Sequence, residues 1–159
     1  MGAKLAPSLS CFVSNMPLKI KAMLVMDRER RLLLLDALES CGIEVLPVCD
    51  CNEAQRMLET QPAVQVVVTD ARLHDGDWRR VFEILARGRR KIEVVVCSRL
   101  SDYNLWLDVL EQGGYDVLVE PFEHEEVQRI VEAAASRSYM RFSTQPTNHK
   151  RNATRAAVA

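Results

Sequence analysis

The sequence predicts an α/β fold: a doubly wound, three-layer sandwich on a parallel five-stranded sheet. Two observations carry the prediction. Short apolar runs rich in β-branched residues alternate, five times, with segments of helical period. Strands joined through helices must run parallel, and right-handed crossovers then put helices on both faces of the sheet. At 159 residues the chain fits one domain with a sizeable core plus two short ends.

The elements follow in order. AMLVM (22–26) is a continuous apolar run, as in a strand buried on both faces. Arg28 to Cys41 follows, with Leu32, Leu34, Leu35 and Leu38 near helical spacing and Gly42 as the stop. IEVLPV (43–48) alternates like a more exposed strand; Pro47 cannot donate to a ladder and places it at an edge. Asn52 reads as an N-cap, with Glu53 in the first turn and Ala54, Met57 and Leu58 as the apolar stripe. VQVVVT (64–69) is the third strand. Trp78, Val81, Phe82 and Leu85 share a helical face that ends near Gly88. IEVVVC (92–97) is the fourth strand, and Ser101 or Asp102 caps a helix carrying Leu105, Trp106, Val109 and Leu110, stopped by Gly113-Gly114. YDVLV (115–119) is the fifth strand, and Pro121 bars its continuation. Glu123 to Ala135 is the last helix, with Phe122, Val127, Ile130, Val131 and Ala134 as its apolar set.

Composition excludes several classes. Hydrophobic content of 48%, charged content of 27% and a net charge of −1 are those of an ordinary globular chain, with no general pull toward nucleic acid or anionic membrane. No apolar run approaches a membrane span. Five cysteines (Cys11, Cys41, Cys49, Cys51, Cys97), mostly in apolar contexts, suit a reducing cytoplasm. Cys49-x-Cys51 lacks the spacing and the second pair of a zinc site. Residues 1–20 form a patternless N-terminal extension, 21–137 the folded domain, and 138–159 a polar basic tail with Arg141, Lys150, Arg151 and Arg155 and no acid. ARGRRK (86–91) reads as a solvated helix end, His74 as a solvated loop residue, and Trp78 and Trp106 as packing anchors.

In a doubly wound sheet, functional groups gather beyond the carboxyl ends of the strands. Here those ends carry Asp27 and Arg28, Asp50, Asp70, Ser98 and Glu120. Four stretches in this order, MLVMDRE, VVVTDARLHDGDW, VVVCSR and GGYDVLVEPF, resemble the response-regulator receiver domain of two-component signalling. The resemblance covers residues 22–135 and implies a flavodoxin-like (βα)5 sandwich. It places Asp70 at the phosphoacceptor, Ser98 at the phosphoryl-binding switch hydroxyl, and Asp27 at the first member of an acidic pair. A Mg²⁺ ion held by Asp27, Asp70 and the backbone carbonyl of Arg72 is implied with them. The chemistry needs such a cation because a carboxylate that attacks phosphorus, and the phosphoryl oxygens it meets, repel one another.

Val117, His74 and Trp78 depart from the family's aromatic, proline and glycine, and the two largest departures are charged. The second acid of the pair is Arg28, and the lysine before the proline turn is Glu120. Asp27, Arg28, Asp70 and Glu120 still sum to −2, the total of three carboxylates and one lysine, with the placement inverted. An arginine beside carboxylates suits bidentate pairing, so Arg28 is expected to pair with Asp70 or Glu120 and weaken Mg²⁺ binding. The leading expectation is a stand-alone receiver, not an enzyme. It would be served by a sensor histidine kinase or phosphotransfer protein and would act on a downstream protein through its fourth helix, fifth strand and fifth helix. Trp106, Tyr115 and His124 would contribute to that face. The alternative is a non-phosphorylated pseudo-receiver, a constitutive interaction module. A small α/β enzyme is disfavoured: DRER stands where a glycine-rich phosphate loop would be, and no Cys-His or Ser-His-Asp set is apparent.

Overall fold

The computed structural model describes residues 19–143; the N-terminal extension up to residue 18 and the tail after 143 lie outside the described residues. A parallel sheet has the order β2-β1-β3-β6-β7, with β1 Lys21–Val25, β2 Glu44–Val48, β3 Val66–Asp70, β6 Glu93–Ser98 and β7 Asp116–Val119. The two intervening strands, β4 Arg72–Leu73 and β5 Gly76–Asp77, form a small antiparallel hairpin in the stretch expected to be a plain loop. The helices are α1 Arg28–Ser40, α2 Cys51–Thr60, α3 Trp78–Arg87, α4 Tyr103–Glu111 and α5 His124–Ser143. Pro47 lies on β2, the edge strand, as its missing donor requires.

The sheet divides the core in two. Leu24, Val66, Val68, Val95 and Cys97 pack toward α1 and α5, against Leu34, Leu38, Ile130 and Val131. Met23, Val25 and Val67 pack the other way, against Ala54, Leu58 and Val81. All five residues of β3 are buried. Burying one such valine contributes about 1.5–3 kcal/mol, so the central strand is firmly held and its last residue, Asp70, is delivered to a fixed place.

Loops beyond the strands extend the ladder. The N–H groups of Met26, Ala71 and Glu120 donate to the carbonyls of Val48, Cys97 and Ser98 at 3.1, 2.9 and 3.0 Å. Asp50, rather than Asn52, is the N-cap of α2; it accepts the Glu53 N–H at 2.7 Å. Asn52 turns outward instead and accepts from Arg80 at 2.8 Å. Asp75, at the tip of the β4–β5 hairpin, accepts the Cys51 and Asn52 N–H groups at 3.1 and 3.2 Å, so one acid stitches that hairpin to the start of α2. Burial, with Asp75 beside it, pushes the Cys51 thiol up to about 12, which makes it an inert packing group.

The last helix runs to Ser143, past the Ala135 expected from periodicity and into the stretch read as a polar tail from residue 138. Ser138 is buried and donates to the Lys91 carbonyl at 3.0 Å. Arg137 and Arg141 flank the buried carboxylate of Glu93 at 3.5 and 3.4 Å. These polar contacts, rather than an apolar stripe, hold the added turns to the sheet.

Candidate functional site

The carboxyl ends of β3 and β7, with β6 between them, both lie within reach of the first turn of α1. Arg30 closes the space between them. Its Nη1 lies 2.6 Å from both oxygens of Asp70, and its Nη2 lies 2.5 Å from Oε1 of Glu120. The Arg30 and Asp70 side chains are 11% and 6% exposed, and Glu120 is 26% exposed. One planar guanidinium therefore serves two acids from two strands, a task its forked donors suit and a lysine's point charge does not.

The cation is Arg30, not Arg28. Arg28 is exposed at the first position of α1, with Asp27 and Glu29 exposed beside it. Helical geometry explains the exchange. Arg30 shares a face with Leu34, Ala37 and Leu38, which are buried, at spacings of four, seven and eight residues. Arg28 shares the outer face with Leu32, which is 62% exposed. The run LLLL (32–35) puts leucine on every face, so the sequence leaves the phase of this helix undefined and Arg30 unmarked. Arg31 covers the neighbouring strand ends, donating to the Met26 carbonyl and the Cys49 sulfur, both at 3.2 Å.

Ser98 is buried at the end of β6, but its hydroxyl serves its own loop. It donates to the Leu100 carbonyl at 2.8 Å and accepts the Leu100 N–H at 3.3 Å. The Glu120–Pro121 peptide is cis and starts the turn into α5. Arg72 sits in the β4–β5 hairpin, paired with Asp77. His74 is 3.8 Å from Asp50 and largely exposed. His124 faces Asp36 of α1 at 3.6 Å, which takes it off the α4 side where it was expected. Tyr115 is half-buried against the core beneath Arg137. Trp78 is buried at the start of α3, as expected of a packing anchor, whereas Trp106 is exposed.

Burial raises the Asp70 carboxyl above the ordinary aspartate range; Arg30 and the Ala71 and Arg72 amides oppose the rise without cancelling it. The folded state thus holds the Asp70 proton more tightly than the unfolded chain does. The stability this confers is complete below about 3.9, the unfolded value, and is lost as pH rises through the raised folded value. Urea unfolding across that acid window should show wild type losing stability relative to Asp70→Asn as pH increases. The opposite slope would mean that Arg30 outweighs burial. The adjacent Cys97 thiol is fully buried and is likewise pushed up, so it offers no nucleophile.

Mg²⁺ does not fit the residues as they stand. Both Asp70 oxygens are on Arg30, Asp27 and Glu29 are exposed, and position 28 is a cation. Among the described residues no three His, Cys, Asp or Glu side chains gather into a metal-ligand group. None of the described helices is long and apolar enough to cross a membrane.

Comparison with known proteins accords with this architecture. No protein-family model matches the chain. Among curated proteins it resembles the DNA-binding transcriptional regulator NtrC of Proteus hauseri, 25% identical over 97 residues. The match takes in 61% of this chain and spans about a fifth of that protein's length (20%). Among solved structures it resembles the signal receiver domain of a Luxo repressor protein from Vibrio parahaemolyticus, with a TM-score of 0.72, 16% identity, and 80% and 98% of the two chains covered. A two-component response regulator/GGDEF domain protein is 25% identical, with a TM-score of 0.70 over 77% of this chain and 51% of that one. The CheX-CheY-BeF3-Mg complex of Borrelia burgdorferi matches at a TM-score of 0.65 and 20% identity, over 72% and 87% of the chains. The five-stranded parallel sheet, its strand order and these likenesses together give the chain the flavodoxin-like fold of a response-regulator receiver domain.

Proposed function

We propose that this chain is a receiver-type interaction module of a two-component signalling system in which Arg30 has taken the place of the divalent cation. It works by protein contact without phosphorylation of Asp70. The observation that supports this reading is the guanidinium shared by Asp70 and Glu120. A phosphoryl donor reaching Asp70 would meet a carboxylate already engaged on both oxygens. With glutamate at position 120, the further cation near the phosphoryl oxygens would be lacking as well.

The contact face is the start of α4. Leu100 is 75% exposed and Tyr103 70%, with Trp106 and Leu107 beside them. Tyr103 and Trp106 lie ring to ring at 5.8 Å, and the Trp106 indole N–H donates to Asp116 at 3.2 Å. Aromatic anchors held in place in this way are what protein partners use as hot spots. Because the Ser98 hydroxyl bonds within its own loop, this face stands ready without a signal from Asp70.

A phosphorylated receiver is the second reading, favoured by Asp70 at the end of the central strand and Ser98 at the end of the next. Incubation with acetyl phosphate and Mg²⁺, followed by intact-mass measurement, separates the two. No gain of a phosphoryl group is expected. A gain that disappears in Asp70→Asn would establish the phosphorylated receiver instead.

A further inference from the structure

A second surface lies at the opposite end of the sheet from Asp70. The last turns of α2 and α3 diverge there and leave a cleft of about 350 Å³. Leu58, Pro62, Ile84, Leu85 and Ile92 make its walls largely apolar. Arg90 supports the α2 side, donating to the Leu58 and Gln61 carbonyls at 2.8 and 3.3 Å. Its charge is thereby used on the C-terminus of α2.

The other cations of ARGRRK are not used in this way. Arg87, Arg89 and Lys91 are exposed, and none forms an ion pair among the described residues. Complementing the helix dipole accounts for Arg87 in the last turn of α3. It does not account for Arg89 and Lys91, which lie beyond the helix. Glu59 is the one acid that lines the cleft.

We propose that this cleft docks an acidic segment of a partner protein, anchored by apolar side chains, independently of the α4 face. Leucine-sized anchors at helical spacing would enter between α2 and α3, and carboxylates flanking them would meet Arg87 in the cleft wall and Arg89 in the turn beside it. Charge of this sign also draws the partner in and makes the contact salt-dependent. No aromatic ring lines the cleft, so it has no stacking platform for a single-stranded nucleic acid, and the observations favour a peptide.

The test is fluorescence anisotropy with a labelled synthetic peptide of about 15 residues. It would carry leucines at i, i+3, i+4 and i+7 and glutamates at the other exposed positions. Saturable binding is expected, weakened at least tenfold in the double variant Arg87→Glu/Arg89→Glu. Amide shift changes in ¹⁵N-labelled protein should be confined to the C-terminal turns of α2 and α3 and the loops that follow them, through Val64 and Ile92. Both arginines are exposed, and an unchanged far-UV spectrum will show that the variant is folded. The proposal is overturned if the peptide does not bind, if charge reversal leaves its affinity unchanged, or if the shifts map to α4. Tighter binding of an oligouridine than of the peptide would overturn it as well.

Discussion

Arg30→Ala should cost about 3–5 kcal/mol of stability at neutral pH, as removal of one partner from a buried ion pair does. The loss arises from what remains behind. Asp70 is 4% exposed, and Glu120 would face it across an uncompensated gap. Asp70, away from water and facing a second carboxylate, cannot stay ionised cheaply, so it takes up a proton or the strand ends separate. Arg28→Ala is the control. That residue is exposed, and its removal should change stability by no more than about 0.5 kcal/mol. Arg30→Lys should fall between the two, because an ammonium cannot reach both acids in one plane. Millimolar Mg²⁺ should restore part of the stability of Arg30→Ala and none of it in wild type, since only a site freed of its arginine gains by binding the ion. Urea unfolding measures all four. Equal stability of the Arg30 and Arg28 variants would show that the buried guanidinium carries no structural load.

Trp78→Ala should cost about as much, 3–5 kcal/mol, for a different reason. Trp78 is 2% exposed at the first position of α3. It meets Phe82 edge to face at 5.5 Å, and Arg79 lies over its ring at 4.5 Å. Truncation opens a cavity among Val94, Val96 and Val109, between the sheet and the α3 and α4 helices. Trp106→Ala removes an indole that is 39% exposed and should cost about 1 kcal/mol or less. The pair therefore separates core from surface. Acrylamide should quench the emission of Trp106 readily and that of Trp78 hardly at all. Similar costs for the two truncations would contradict the assignment of Trp106 to a contact face.

The fold was legible because its strands are short runs of β-branched residues with glycines and prolines between them. Three buried strands leave an unmistakable pattern, and Pro47 marks the edge. Asp70, Ser98 and Glu120 were placed by the same pattern, since a strand end is where the apolar run stops. The key cation was not legible. Its position depends on helical phase, and LLLL erases the phase of α1. Asn52 was mistaken for the cap because Asn and Asp cap almost equally well and stand two residues apart. The added turns of α5 were missed because Glu93, Ser138 and the two arginines hold them by polar contacts between residues distant in sequence. His124 was assigned to the wrong side for a similar reason: its partner, Asp36, belongs to α1.

Titration of ¹⁵N-labelled protein with beryllofluoride and Mg²⁺ tests the closed site most directly, because the reagent imitates a phosphoryl group on an accessible aspartate. With Arg30 bound to both oxygens of Asp70, the amide resonances of Asp70, Ala71, Ser98 and Glu120 should not move. Saturable shifts at these residues in wild type would show that Arg30 yields its place and that the site is a working receiver.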